Sequence, residues 1–272
     1  MPNYICVTCG TQYAQSVQPP EHCLICEDER QYIGMHGQKW TTLEELRPDH
    51  HNVIKPLEPN LTGIGSHPDF AIGQRALLVQ SPKGNILWDC ISLIDEPTVA
   101  AVRALGGISA IAISHPHYYS AMVEWSKAFD APIYLHGDDR SWVMRQDPAI
   151  RYWDDDAKVL WDGITLVHCG GHFTGSTVLH WPAGSSGRGV LLTGDTIQVL
   201  PDRRYVSFMY SYPNLIPLPA RAVRYIASAV ELLPFNRIYG AWWEPVIEHD
   251  AKNAVMRSAK RYIAALEGIE IV

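Results

Sequence analysis

Four of the six cysteines lie within the first 26 residues, as Cys6-Val7-Thr8-Cys9 and Cys23-Leu24-Ile25-Cys26. Each C-x-x-C pair sets two thiolates on one side of a tight turn, and Gly10 suits the exit from the first turn. Two such turns, here 13 residues apart, close a tetrahedral four-thiolate site. That site takes Zn2+ or, in a rubredoxin-like setting, iron. Residues 1–35 hold too few apolar side chains to fold without the ion, so they read as a small zinc-ribbon-like segment stapled by metal. The start, Met1-Pro2-Asn3-Tyr4-Ile5-Cys6, has no basic stretch followed by an apolar core. Paired C-x-x-C without a visible secretory signal points to metal rather than disulfides, and to a reducing, cytoplasmic compartment.

The remaining length is enough for one large domain, because 47% of the 272 residues are hydrophobic. No run of about 18 apolar residues occurs, so no membrane span is expected. The net charge of −7 leaves no broad basic surface for phosphates, which argues against general nucleic-acid binding and for a small-molecule substrate.

Residues 36–60 read as a connector. Thr41-Thr42-Leu43-Glu44-Glu45 offers a capping box for one short helix, after which Pro48, Pro56 and Pro59 are expected to break regular structure and leave His50 and His51 in solvent. From Leu61 to the end the pattern is regular. Strands are expected at Arg75–Ser81, Asn85–Cys90, Ile108–Ile113 and Pro132–His136. Helices follow Asp95 and the Ser114–Ser120 stretch, with Met122, Trp125 and Phe129 on one face of the second. A second half repeats the alternation. Its strands are Gly163–His168, a hairpin of Ser176–Trp181 with Gly189–Thr193, and Arg237–Ala241. Its helices are Arg221–Leu233, turning Val223, Ile226, Ala227 and Val230 inward, and a last one near 250–267 that buries Val255, Ala259, Tyr262, Ile263 and Leu266. Residues 196–218 show no period. Two halves of this kind suit an α+β or α/β fold, a two-sheet sandwich with helices on the outer faces.

Three strand ends carry metal-binding side chains. Ser114-His115-Pro116-His117-Tyr118-Tyr119-Ser120 follows an apolar strand, and in an extended segment His115 and His117 point to one side and can share an ion. His172 follows Gly170-Gly171, and Asp195 follows Gly194. Three imidazoles, one carboxylate and an open position make up a catalytic type of zinc site.

These motifs resemble the metallo-β-lactamase superfamily. S-H-P-H-Y-Y-S stands where that family has H-x-H-x-D-H, G-G-H-F-T-G-S is similar to its G-H-T-x-G-S element, and T-G-D-T to the turn of its bridging aspartate. I-L-W-D-C resembles its L-I-D-T-G strand, which makes Asp89 a residue behind the metal ligands. The resemblance covers about residues 61–266 and implies a four-layer αββα domain over 61–272. It also implies hydrolysis by metal-activated water, in the family usually at two ions. Here Tyr119 and Ser120 replace two ligands of the second ion, and Ala241-Trp242-Trp243-Glu244 stands where its last histidine is expected. The expectation is therefore one ion, Zn2+ or another divalent metal, held by His115, His117, His172 and Asp195. Asp195 would also accept the water's proton, Tyr119 would donate to a developing oxyanion, and Ser120 would stand behind the ligands.

Arg203 and Arg204 sit just beyond Asp195 and, with Trp242 and Trp243, are candidates for a substrate wall; ordinary loop packing or a homodimer contact is the alternative for 202–212. Cys90, Cys169, His136, His168 and His180 read as packed or surface residues. The leading expectation is a cytoplasmic metallo-hydrolase of esters, thioesters, amides or phosphoesters. The alternatives are a non-catalytic scaffold or binding module on the same fold, and a redox protein with iron in the four-cysteine site.

Overall fold

The computed structural model describes residues 1–269. The chain divides into two compact units, Met1–Trp153 and Asp154–Val272.

The first unit begins with β1 (Ile5–Cys6), α1 (Leu24–Glu27), β2 (Trp40–Thr41) and α2 (Leu43–Leu46). β1 and β2 pair antiparallel, so the chain returns to the first cysteine pair after the second. α2 starts at the expected capping box, with Thr42 and Glu45 each bonding the other's backbone N–H. Seven strands then form one sheet in sequence order. They are β3 (His51–Glu58), β4 (Leu61–His67), β5 (Arg75–Val79), β6 (Ile86–Trp88), β7 (Ala110–Ala112), β8 (Ile133–His136) and β9 (Ile150–Trp153). β3 to β6 run antiparallel, and β6 to β9 are parallel. The switch comes where helical crossovers begin: α3 (Glu96–Ala104) joins β6 to β7, and α4 (Met122–Phe129) lies between β7 and β8. α3 is started by Asp95, whose carboxylate accepts the Thr98 N–H at 2.8 Å.

β3 falls inside the stretch that its prolines marked as irregular. It is an edge strand, and a proline at a sheet edge loses no ladder bond on its outer side, so Pro56 is tolerated with only a register shift beside it. His51 is exposed within that strand, as expected of a solvated side chain, but His50 is half-buried, with Nδ1 3.3 Å from the Leu46 carbonyl and its ring against Phe70.

The second unit is built on a six-stranded sheet. In chain order its elements are β10 (Ala157–Val159), β11 (Thr165–His168), β12 (Thr177–Trp181), the single turn α5 (Gly184–Gly187) and β13 (Val190–Leu192). Four short strands follow: β14 (Gln198–Val199), β15 (Val206–Ser207), β16 (Met209–Ser211) and β17 (Ile216–Pro217). α6 (Ala220–Glu231), β18 (Arg237–Tyr239), β19 (Val246–Ile247) and α7 (Ala251–Leu266) complete it. β10 to β13 are antiparallel neighbours, and β18 joins β13 in parallel. The region without a sequence period thus forms two separate two-stranded ribbons, β14–β15 and β16–β17. Strands of two or three residues are too short to show an alternation.

The stripes of α6 and α7 meet in one core. Val223, Ile226 and Val230 are buried together with Val255, Ala259, Phe208 and Ile238. Ala227, Tyr262 and Ile263 are only partly covered, and Leu266, expected inside, is 43% exposed because it stands at the last position of α7. Ile226 also closes the space beneath Gly171, where an added Cβ would lie 2.9 Å from Ile226 Cδ1. Ile226→Ala is therefore expected to lower stability by about 2–4 kcal/mol in urea unfolding, since the cavity opens in a filled core.

His180, on β12, is buried, and its ring lies 2.7 Å from the Pro234 carbonyl through Nε2. Burial pushes its pKa below the ordinary histidine value, with the Pro234 bond opposing in part. The neutral ring is favoured by folding, so its contribution is complete above the unfolded pKa of about 6.5 and is lost as pH falls through and below that value. His180→Gln should flatten the decline of urea-unfolding stability between about pH 7 and pH 5.

Candidate metal centre

The candidate ligands of the first unit stand at the carboxyl ends of its parallel strands. Asp89 follows β6 in a left-handed conformation (φ 58°), which turns the chain so that its carboxylate accepts the Ser114 N–H at 2.7 Å. A left-handed non-glycine residue is strained, and here the strain aims one strand end at the next. Ser114 in turn places its hydroxyl 2.9 Å from His115 Nδ1. His115 is extended, but Pro116–Tyr118 is a 3-10 turn. The two imidazoles are thus brought together by a tight turn rather than by the expected extended strand, with ring centroids 5.2 Å apart. Tyr118 packs edge-on against His115 at 4.5 Å.

In the second unit, the end of β11, the start of β12 and the end of β13 lie at one sheet edge, as the pairings His168↔Thr177 and Leu179↔Leu192 require. Gly171 has φ 84° and no room for a side chain, so the turn before His172 needs glycine there. His172 Nδ1 is 3.1 Å from the Met209 carbonyl. A carbonyl only accepts, so Nδ1 carries the proton and Nε2 presents its lone pair. Asp195 Oδ1 lies 4.0 Å from that Nε2. Tyr212 donates its hydroxyl to the Asp195 carbonyl at 2.7 Å, and its ring tilts against His172 at 5.7 Å. Burial, then the charge of Asp195, raises the Tyr212 pKa, so the phenol stays protonated.

His115 and His117 form one pair of candidate ligands in the first unit and His172 and Asp195 another in the second, and all four side chains are buried. Imidazoles and a carboxylate are donor types that fit a borderline divalent ion such as Zn2+. The four cysteines form a group of their own, within 4.8 Å of one another and buried. Their sulfurs approach to 3.5 Å (Cys6–Cys26) and 3.6 Å (Cys9–Cys23), with no disulfide. Four thiolates about 2.3 Å from one zinc ion would lie about 3.8 Å apart, close to this spacing. Gln38 donates to Cys6 Sγ at 3.1 Å, and Tyr13, Trp40, Trp142 and Met144 pack around the cluster.

A family model for the metallo-beta-lactamase superfamily matches residues 71–242. The chain belongs to the metallo-beta-lactamase superfamily. The uncharacterized protein YmaE of Bacillus subtilis (strain 168) is 54% identical over 268 residues, covering 98% of this chain and 97% of its own. Among solved structures, the fold of VMB-1 superposes with a TM-score of 0.59 at 13% identity, covering 79% of this chain and 98% of that one. FIM-1 from Pseudomonas aeruginosa, solved in a mono-zinc form, gives 0.56 at 13% identity, covering 77% and 95%. The two mixed sheets with their helices are those of this superfamily's αββα fold, with a cysteine cluster added at the N-terminus.

The other residues singled out by the superfamily pattern are spread more widely. Tyr119 is buried, and burial followed by the charges of Asp139 and Tyr152 raises its pKa, so those two groups are its electrostatic neighbours. Ser120 is buried at φ 43°, donates its hydroxyl to the Cys90 carbonyl at 3.3 Å and accepts from Gln74 at 3.1 Å. Trp242 and Trp243 are half-buried. They follow β18, whose register with β13 (Leu192↔Tyr239) puts them at the same end as Asp195. Arg203 and Arg204 are exposed: Arg203 reaches the Glu244 carbonyl at 3.4 Å, and Arg204 forks onto Asp202, whose pKa it lowers to about 2. Cys169 is a core residue, its thiol pushed up to about 12 by burial, and Cys90 is likewise buried. His136 packs against Trp153, and His168 lies 2.7 Å from the Thr174 carbonyl. Tyr118, which packs against His115, and Tyr212, which packs against His172, appeared in the sequence only as parts of longer stretches, the Ser114–Ser120 motif and 202–212, with no role of their own; residue type alone carries no signal of what an aromatic ring faces.

Asp89→Ala removes the carboxylate that holds Ser114. It is expected to weaken metal binding at the histidines by about 10–100-fold in a competitive chelator titration, with the four-cysteine ion retained.

Proposed function

We propose that this chain is a metallo-hydrolase that works with a single Zn2+ at His115, His117, His172 and Asp195, and that a second Zn2+ in the four-cysteine site is structural. The observation that carries the reading is the donor set itself: a buried pair of candidate ligands in each unit, His115 with His117 and His172 with Asp195, three imidazoles and one carboxylate in all. The positions of the superfamily's second ion support one rather than two. Tyr119 has Asp139 and Tyr152 as its neighbours, the Ser120 hydroxyl is engaged with Gln74 and Cys90, and tryptophans stand at the end of β18. A divalent ion in such a site acts as a Lewis acid that makes a bound water acidic near neutral pH.

The chain's own residues do the rest. Met209 and Ser114 orient the imidazoles of His172 and His115. In this reading the Asp195 carboxylate accepts a proton from the attacking water, and Tyr212, which donates to the Asp195 carbonyl, steadies its backbone. The substrate is a small ester, thioester, amide or phosphoester, with Trp242 and Trp243 as an apolar wall. Arg203 is the cation left to attract an acidic group, since Arg204 is engaged by Asp202. No helix among the described residues is long and apolar enough to cross a membrane, and reduced cysteines suit the cytoplasm.

Metal analysis of the purified chain should find about two ions, both zinc, one lost in His117→Ala and the other in Cys9→Ser. Against a panel of the four substrate classes, Asp195→Asn and His117→Ala should each lower kcat by at least about 100-fold. Unchanged turnover in both variants would overturn the mechanism, and iron in the four-cysteine site would favour a redox protein instead.

A further inference from the structure

The four-cysteine segment does not stand apart from the histidine turn. Its first knuckle folds over as Gly10 donates to the Cys6 carbonyl at 2.8 Å, and the next residues leave toward the ends of β6 and β7. The Gly10 carbonyl accepts the Ser92 hydroxyl at 2.8 Å, three residues beyond Asp89. The Gln12 N–H donates to the Ser120 carbonyl at 3.1 Å, three residues beyond His117. Gln12 also accepts, through its side chain, from Arg145, which pairs with Glu124 at the start of α4. Gly10 has φ 79°, and a Cβ there would lie 2.6 Å from Ser92 Oγ, so the approach leaves no slack. Ser92, Thr11, Gln12 and Ser120 are all buried.

The histidine turn is thus fixed at both ends. Asp89 holds its start through Ser114, while Gln74, Cys90 and Gln12 hold its end at Ser120. One of those holds comes from a segment whose conformation depends on four thiolates closing around an ion. We propose that Gly10, Gln12 and Ser92 are positioning residues that couple the two sites: an ion in the four-cysteine site fixes the Ser114–Ser120 turn and thereby tightens metal binding at His115 and His117. The coupling is reciprocal, so an ion at the histidines also stabilises the cysteine site. The part concerning affinity rests on the single-ion reading above; the part concerning order of the turn does not.

Two readouts on the full-length chain separate them. Hydrogen exchange is followed in Zn2+-loaded protein, in Cys9→Ser/Cys26→Ser, and in Ser92→Ala, which keeps all four thiolates. Amides across 114–122 should exchange about tenfold faster in both variants, while 177–192 keeps its protection. Loss of protection confined to 1–41, or an unchanged turn in Ser92→Ala, overturns the coupling, and Ser92→Ala decides if the double variant fails to fold. Co2+ is then titrated as the probe. In Ser92→Ala the histidine site should bind Co2+ about tenfold more weakly with altered visible bands, the thiolate charge-transfer band should persist, and Ser92→Thr should restore both. A wild-type chain that takes Co2+ only at the thiolates overturns the single-ion reading alone, and the exchange data still decide the coupling.

Discussion

Three imidazoles and a carboxylate, His115, His117, His172 and Asp195, are buried at strand ends, and burying such groups is costly unless each polar atom is satisfied or shared with an ion. The bonds around the donor group reflect that constraint. Ser114 faces His115 Nδ1, the Met209 carbonyl faces His172 Nδ1, Asp89 holds Ser114, and Tyr212 holds the backbone of Asp195. Remove any of these and a ligand loses its aim or its tautomer. The turns that carry the ligands follow from the same need. A left-handed Asp89 and a side-chain-free Gly171 are local strains that the surrounding packing over-determines.

The sheets supply the frame. In the first unit the ligands come from the carboxyl ends of parallel strands, where helical crossovers leave open loop ends. In the second, two hairpin turns and one parallel strand bring His172, Asp195 and the tryptophans to a single edge. The N-terminal segment adds a third support. It contributes no ligand to the histidine group, yet its backbone bonds reach both loops that position His115 and His117.

The structure also bears on how far a superfamily's chemistry transfers. The fold is that of the metallo-beta-lactamases, and the chain carries metal-binding residue types at the strand ends of both sheets. Ser120 is tied into the hydrogen bonds that hold the turn. It is an anchor of the turn, which Gln12 completes from the cysteine segment.

Much of this was legible in the residues alone. The cysteine pairs, the H-x-H turn, His172 and Asp195 are local motifs, and each declares its chemistry through residue type and spacing. Long amphipathic helices such as α6 and well-capped ones such as α3 were legible for the same reason, since period and cap are written within one element. What was not legible depends on neighbours far away in sequence. Pro56 looks like a breaker until β3 is known to be an edge, and the Leu266 stripe reads as buried until α7 ends there. The ribbons of 198–217 are too short to carry a period. Sequence by itself determined which side chains can bind metal and on which strand ends they sit. Only the tertiary structure decided that a 3-10 turn, not an extended strand, joins His115 to His117, that Tyr118 packs on His115 and Tyr212 on His172, and that the cysteine knuckle grips Ser92 and Ser120. Hydrogen bonds between segments tens of residues apart leave no pattern in either segment's own sequence.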